Sequence, residues 1–265
     1  MKKIIAILLM LAMCACILSA CNDTDNDVPE EETNPAVEIS REDAEKARDT
    51  AVEYLSDNPY KVTTISVTDC ESEAVLWDIM NYNDTEIYIN DGKNIFYSLA
   101  GEDKTEYTYI EGILYQYIEG REGDVTKIKE PLNEDELQHT IGMTHFPNIS
   151  TKYFTSFECV ENGDGTKTII ISRLSEERIQ KMNENYKEML SYLRCTFEIK
   201  SSAYEFVIGS HGELLSVKSY TEYVADGEKY GENVPLTVTR ESIYEYENIS
   251  VASPKDADEY QLSND

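Results

Sequence analysis

From Tyr60 onward, short turn signals that contain glycine divide the chain into segments of similar length. These signals are Asp91-Gly92, Glu111-Gly112, Glu119-Gly120, Gly163-Asp164-Gly165, His211-Gly212 and Asp226-Gly227. An acidic residue followed by glycine favours a tight hairpin turn, because glycine readily adopts the positive φ that such turns require. The intervening segments are rich in Tyr, Ile, Val and Thr, which prefer strands. The pattern therefore predicts a series of antiparallel strands.

The turn signals define the bounds of the expected strands. We predict strands at residues 60–69, 74–82, 86–90, 93–98, 104–110, 113–118, 124–129, 152–160, 166–173, 196–208, 214–223 and 235–247. With a few helices, this series predicts a β-rich α+β fold. The 41% hydrophobic composition is typical of an ordinary globular domain.

Three helices are expected beside the strands. Ser40 can cap the first, with Asp43 at the reciprocal position, and Asn58-Pro59 ends it. Asn133 can cap a short second helix that carries Leu137 and Ile141. Ser175 can cap the third helix, which has acidic residues in its first turn. There they interact favourably with the positive end of the helix dipole.

The helix after Ser175 carries one apolar stripe, formed by Ile179, Met182, Tyr186, Met189, Leu190 and Leu193. Such a stripe usually packs against a sheet as ordinary core. A lid over an open side of the sheet is the alternative, since unbranched methionine suits a surface that repacks. On that interpretation Met182, Tyr186 and Met189 are candidate ligand contacts.

A two-residue turn at Glu111-Gly112 would place Tyr109 opposite Leu114. Tyr107, Tyr109 and Leu114 then share one face of the hairpin. The other face carries Ile110, Ile113, Tyr115 and Tyr117. Because both faces are apolar or aromatic, a helix or a ligand is expected on each, although tyrosine also tolerates a half-exposed surface. Tyr107, Tyr109 and Leu114 are thus candidate ligand-cavity residues.

The N-terminus has the pattern of a lipoprotein export signal. Lys2 and Lys3 precede an apolar run of about 14 residues, which is too short to span a bilayer as a helix. The run ends in Leu18-Ser19-Ala20-Cys21, which resembles a bacterial lipobox. We therefore expect cleavage of residues 1–20 and attachment of lipid to Cys21. The expected location is the outer face of the cytoplasmic membrane.

Residues 21–38 are acidic, contain two prolines and have almost no apolar side chain. Such a segment cannot bury enough surface to order itself, so we interpret it as a disordered tether. Residues 39–265 then form the folded domain.

The chain carries 52 acidic against 23 basic residues, a net charge of -29. This charge excludes nucleic-acid binding, which depends on basic side chains. Three histidines without a second ligand cluster indicate no metal site, and nucleophile, phosphate and dinucleotide motifs are absent from the sequence. We therefore expect no enzyme activity and no cofactor. A pair of carboxylates, as in glycoside hydrolases, stays an open alternative because acidic residues are abundant.

Beyond Cys21, the exported chain has Cys70, Cys159 and Cys195. Three widely spaced cysteines fit neither a disulfide framework nor a C-x-x-C motif. Buried free thiols are the main expectation, and one disulfide with a spare thiol is the alternative.

The layout as a whole resembles the LolA-like superfamily of envelope lipoproteins, which includes LppX- and LprG-like members. In the folded domain the resemblance covers residues 39–255, where it rests on the runs YINDGKNIFY and YIEGILYQY. The lipobox and the acidic tether that precede the domain add to it. It also includes the capped helix after Ser175 and three long closing strands. It implies a half-open antiparallel barrel of about 11–12 strands with covering helices. The implied partner is a lipid or acylated molecule in an apolar cavity; relatives that sense or bind proteins are the alternative, with the protein partner unidentified.

The lipobox assignment generates a first prediction. Cys21→Ala should release the exported protein to the medium or leave it uncleaved, because a single cysteine would carry the whole membrane attachment. Fractionation with metabolic labelling by a fatty acid measures the effect, and Cys70→Ala serves as the control. A Cys21→Ala protein that is cleaved and stays on the membrane would show that the lipobox assignment is wrong.

Overall fold

The computed structural model describes residues 37–72, 75, 83–101, 103–133, 136–137, 154–189, 195–227 and 231–263. Contacts divide the chain into Met1–Thr33, which lies outside these ranges, and Asn34–Asp265, which contains all of them. Within the described residues, the longer helices are α1 (Arg41–Asp57) and α2 (Glu176–Met189), and a short 3-10 helix covers Ala257–Glu259.

Thirteen strands lie within the described residues. They are β1 (Val37–Glu38), β2 (Tyr60–Cys70), β3 (Asn83–Asn90), β4 (Ile95–Ala100), β5 (Lys104–Ile110), β6 (Ile113–Glu119), β7 (Val125–Pro131), β8 (Phe154–Glu161), β9 (Lys167–Leu174), β10 (Cys195–Ile208), β11 (Leu214–Gly227), β12 (Gly231–Glu245) and β13 (Gln261–Leu262).

All thirteen strands belong to one curved, unclosed sheet, in the order β1-β8-β9-β10-β11-β12-β2-β3-β4-β5-β6-β7-β13. Every neighbouring pair is antiparallel except β7 and β13. The prediction of a β-rich fold with a curved antiparallel sheet and helices is confirmed. Most strands pair with the next strand in the chain, whereas β12 pairs with β2 and joins two hairpin series.

Both edges of the sheet end in two-residue strands near the ends of the described chain. Val37 and Glu38 pair with β8, so the last two residues assigned to the tether belong to the sheet. At the other edge β13 pairs with β7, and the Ser263 N–H donates to the Lys129 carbonyl. Short edge strands limit the unpaired backbone that is open to other chains.

One predicted strand differs from the structure. Of residues 74–82, the structure describes only Val75, which is helical and buried rather than part of the sheet. The remaining predicted strands all correspond to observed strands, with shifts of a few residues at their ends. The turn at Glu111-Gly112 has positive φ at both residues, which is the conformation that its sequence predicts.

Helix α1 begins at the predicted cap. The Ser40 Oγ accepts a hydrogen bond from the Asp43 N–H at 3.1 Å and donates to the Asp43 carboxylate. Ala44, Ala51 and Leu55 are buried against one face of the sheet, which we call the inner face. Alanine at positions 44 and 51 lets the helix lie close to the aromatic side chains of the strands. The opposite side of the sheet is called the outer face below.

The predicted cap at Asn133 is also present. Its Oδ1 accepts from the Glu136 N–H, and the Glu136 carboxylate accepts from the Asn133 N–H, each at 3.0 Å. This reciprocal pair is a capping box, and it places Leu137 in the core. Ile141 lies outside the described residues.

Helix α2 starts after Ser175, whose Oγ accepts from the Arg178 N–H at 3.3 Å. It packs beside β10, where β9 pairs only over Ala203–Ile208. Just before that stretch, the Asn183 Oδ1 accepts from the Ile199 N–H at 2.8 Å, and its Nδ2 donates to the Ile199 carbonyl. The Asn183 amide thus replaces a neighbouring strand at this point of the sheet.

The Ser40 cap generates a second prediction. Ser40→Ala should lower the free energy of unfolding by about 0.5–2 kcal/mol, because the Asp43 N–H loses its acceptor. Urea denaturation measures this change. Ser56→Ala in the same helix removes an exposed hydroxyl and should change stability by less than about 0.5 kcal/mol. Equal losses for the two variants would contradict the capping role of Ser40.

Candidate functional site

The predicted pairing of the β5–β6 hairpin is confirmed. Tyr109 lies opposite Leu114, and both are buried, with Leu114 fully inaccessible to solvent. Leu132 and Leu137 pack on this side of the hairpin, and the Tyr109 hydroxyl donates to the Leu132 carbonyl at 3.4 Å. Protein side chains therefore cover Tyr109 and Leu114. Tyr107, the third of the predicted cavity residues on this face, is half-buried at the edge of the same cluster.

The C-terminal segment covers the other face of the hairpin region. The Tyr260 ring packs edge-on against Tyr115, with ring centroids 5.3 Å apart. Lys127 pairs with Asp256 and Glu259 beneath the same ring. Each face of this hairpin region thus has a covering from the chain, as its two-sided apolar pattern predicts.

A polar region lies on the inner face where the two hairpin series meet. Adjacent strands β10, β11, β12 and β2 each contribute Ser or Thr side chains, which occupy neighbouring positions in the strand pairing. The Thr64 and Ser242 hydroxyls are 2.8 Å apart, and those of Ser202 and Thr221 are 3.2 Å apart. We call this set the hydroxyl belt; it consists of Thr64, Ser66, Ser202, Ser219, Thr221 and Ser242.

Arg240 lies in the middle of the hydroxyl belt, between Ser66 and Ser219 on the adjacent strands. Its guanidinium donates to the Glu86 carboxylate at 3.0 Å, and the arginine side chain is 53% exposed while the glutamate is 17% exposed. Asp84 shares this face, beside Ser66. The inner face thus places an exposed donor and shielded acceptors beside the hydroxyl groups of the belt.

Two tyrosine rings border these charged groups. Tyr97 and Tyr107 stack across β4 and β5 with centroids 5.9 Å apart and an interplanar angle of 22°. Burial and the nearby Glu86 charge, to which the Tyr97 hydroxyl donates, raise the pKa of Tyr97 to about 12. Tyr97 is therefore neutral at physiological pH and serves as a hydrogen-bond donor.

Apolar clusters lie on both sides of the hydroxyl belt. Towards α1, the cluster includes Tyr60, Tyr88 and Phe206. At the other end, Phe197 and Leu236 pack with Val75, Ala225 and half-buried neighbours. A register shift between Ile199 and Ser201 keeps Phe197, Ile199 and Ser202 on the same face of β10. The inner face therefore alternates apolar, polar and apolar along its strands.

A separate groove of about 490 Å³ lies beside the N-terminal half of α1. It is lined by charged side chains, backbone turns and a few apolar groups, and its carboxylates include Asp43 and Glu161. The Glu161 carboxylate lies 3.4 Å from the Lys167 ammonium. This groove is mixed in polarity and does not match the apolar cavity expected from the sequence. Among the described residues, none of the His, Cys, Asp and Glu side chains form a group that could hold a metal ion.

The remaining candidate residues are placed as follows. Met182 is half-buried on α2. Tyr186 and Met189 belong to the same helix, and their side chains lie outside the described part of the chain, as does the whole of Cys21. Cys159 is a buried free thiol whose pKa is raised by burial to about 11. Cys70 is also free, and Cys195 begins β10.

Sequence analysis missed Arg240, Glu86 and the hydroxyl belt. The relevant signal was present in β12, where Leu236, Val238, Arg240, Ser242 and Tyr244 alternate with outward residues. In such a strand, arginine and serine share a face with buried apolar residues. A charged residue in phase with core positions is therefore the pattern that would have identified this site.

Packing of the hairpin generates a third prediction. Leu114→Ala should cost about 2–5 kcal/mol of stability, because Leu114 is fully buried and its loss leaves a cavity. Thermal or urea unfolding measures the loss. Ile118→Ala in the same strand is the control; it is 38% exposed and should cost less than about 1 kcal/mol. A small cost for Leu114→Ala with a large drop in ligand affinity would instead assign this residue to a ligand cavity.

No helix in the described part of the chain is sufficiently long and apolar to cross a membrane. In comparisons with known proteins, no family model matches this sequence, and no curated protein matches it.

Proposed function

We propose that this chain is a membrane-anchored extracytoplasmic lipoprotein whose open sheet binds an acylated ligand on its inner face. The observation that carries the proposal is the amphipathic inner face, where apolar clusters flank the hydroxyl belt. An acylated molecule has both apolar chains and a polar group, so its chains suit the apolar clusters and its polar group suits the hydroxyl belt. The protein would act as a carrier or scavenger rather than as an enzyme.

The anchoring half of the proposal is supported by the N-terminal sequence. Leu18-Ser19-Ala20-Cys21 matches the lipobox pattern at the end of a short apolar run. The acidic segment that follows would separate the folded domain from the membrane surface. Its charge, like that of the whole chain, would also repel anionic headgroups and keep the domain away from the bilayer.

The ligand half of the proposal is supported by the position of α2. Its Asn183 side chain holds the helix on the Ile199 backbone. The Ile199 side chain at this contact and Phe197, two residues earlier, are buried on the inner face. Met182, one residue earlier, is half-buried and can repack because its side chain is unbranched. We place the apolar part of the ligand near this end of the inner face.

Met182→Ala tests this placement through two measurements. If Met182 contacts ligand, stability should fall by less than about 2 kcal/mol while affinity for a fluorescent fatty acid falls by about tenfold or more. A loss of about 2–5 kcal/mol with unchanged affinity would instead make Met182 ordinary core. Lys181→Ala, at an exposed position of the same helix, is the control and should change neither stability nor affinity.

The anchored-carrier proposal as a whole is tested on the purified domain from residue 37 onward. Native mass spectrometry should detect a co-purified lipid, and a fluorescent fatty acid should bind saturably. The absence of both would overturn ligand binding and leave the anchoring prediction to its own test.

An exposed apolar patch on the outer face favours a second candidate, a protein-interaction or envelope-sensing module. Ile65, Val67 and Ile243 are 49%, 46% and 49% exposed on the adjacent strands β2 and β12. Clusters of exposed apolar side chains are typical of interaction surfaces. Ile65→Thr with Ile243→Thr should then abolish cross-linking to an envelope partner while leaving fatty-acid binding unchanged. Unchanged cross-linking in this double variant would contradict the interaction role.

A further inference from the structure

We propose that the hydroxyl belt and Arg240 form a binding site for a neutral saccharide. The sugar could be free or could be the headgroup of an acylated ligand, and only the second case rests on the proposed function. The site comprises the belt together with Arg240, Glu86, Asp84 and the stacked rings of Tyr97 and Tyr107.

Hydrogen-bonding capacity is the first argument. A sugar hydroxyl both donates and accepts, so it is matched best by a surface that offers both functions at short spacing. The Ser and Thr hydroxyls supply both, Arg240 supplies further donors and the carboxylates of Glu86 and Asp84 accept. Thr64 and Ser202 are buried, at 6% and 4% exposed, and their hydroxyls are hydrogen-bonded to those of Ser242 and Thr221. The half-buried hydroxyls of Ser242 and Thr221 each use one hydrogen bond in these pairs and keep lone pairs for a ligand.

Charge is the second argument. Arg240 and Glu86 neutralise each other at 3.0 Å, and Asp84 adds an acceptor on the same face. The chain as a whole carries a net charge of -29, which disfavours a phosphate or carboxylate as the group held at this polar site. A neutral polyhydroxylated group avoids this repulsion and still uses the charged side chains, since hydrogen bonds to charged groups are the stronger ones.

The aromatic rings are the third argument. Tyr97 and Tyr107 are half-buried and stack in parallel beside Glu86. The faces of a sugar ring are partly apolar C–H surfaces, and an aromatic ring packs against such a surface while nearby polar groups bind the hydroxyls. The Tyr97 hydroxyl is held by Glu86, so the ring has a fixed orientation. A flat ring beside oriented donors and acceptors distinguishes this site from a general polar surface.

The test compares four probes. One has only the saccharide, one has the saccharide and a twelve-carbon chain, and two have such a chain with a charged headgroup. Isothermal titration calorimetry on the domain from residue 37 onward uses maltoheptaose, dodecyl maltoside, dodecanoate and dodecyltrimethylammonium, each amphiphile below its micelle concentration. We expect dodecyl maltoside or maltoheptaose to bind, and Ser219→Ala with Thr221→Val to weaken that binding at least tenfold. Arg240→Met should weaken it as much. The matched controls are Thr239→Val and Lys218→Met, which lie on the outer face of the same strands and should leave affinity unchanged.

Each pattern of binding leads to a different conclusion. Binding of maltoheptaose that the belt variants weaken shows a saccharide site that needs no acyl chain, and binding that they leave unchanged overturns the proposed site. Binding of dodecyl maltoside alone, weakened by the belt variants, shows headgroup recognition within the proposed carrier function. Equal binding of dodecyl maltoside and dodecanoate, insensitive to the belt variants, overturns the saccharide site and keeps the carrier function. Tighter binding of dodecyltrimethylammonium, or no binding of either maltoside probe, also overturns it.

Discussion

The pairing of β12 with β2 is the interaction on which the rest of the structure depends. It joins Leu236–Glu245 to residues 61–70, which are separated by most of the chain. Without it, the hairpins β2–β7 and β8–β12 would be two independent sheets. The pairing also creates the inner face, because Thr64 and Ser66 come from one series and Arg240 and Ser242 from the other. The hydroxyl belt is therefore a product of long-range pairing.

Local features of this fold could be predicted from sequence because their causes are local. The turn at Glu111-Gly112 sets the pairing of Tyr109 with Leu114, and the caps at Ser40, Asn133 and Ser175 lie where side chains can meet nearby N–H groups. The partner of β12 could not be predicted this way, because no turn residue connects it to β2. The prediction of a strand is wrong at Val75, because a short apolar run suits either a strand or a buried helix.

The candidate site was the least predictable part. Tyr107, Tyr109 and Leu114 share one face of a single hairpin, but Leu132 and Leu137, from outside that hairpin, cover two of them. The polar site depends instead on four strands and on the pair formed by Glu86 and Arg240, which are 154 positions apart. The alternation of apolar and polar residues within β12 predicts the side of the sheet on which Arg240 lies. Its neighbours on the adjacent strands follow only from the strand order of the sheet. Sequence patterns thus predict which residues share a face of a strand, whereas the strand order determines which faces come together in a site.

The long-range closure through β12 has a consequence for how the protein matures. A chain that is synthesised from its N-terminus presents β2–β7 before β12 has left the ribosome. These early strands can form hairpins, but the edge of β2 stays without its partner until nearly the whole chain has emerged. Folds with such distant contacts complete slowly, because loop closure precedes the stabilising pairs. The two halves of the hydroxyl belt meet only at this last step, so an incompletely synthesised chain has no assembled belt.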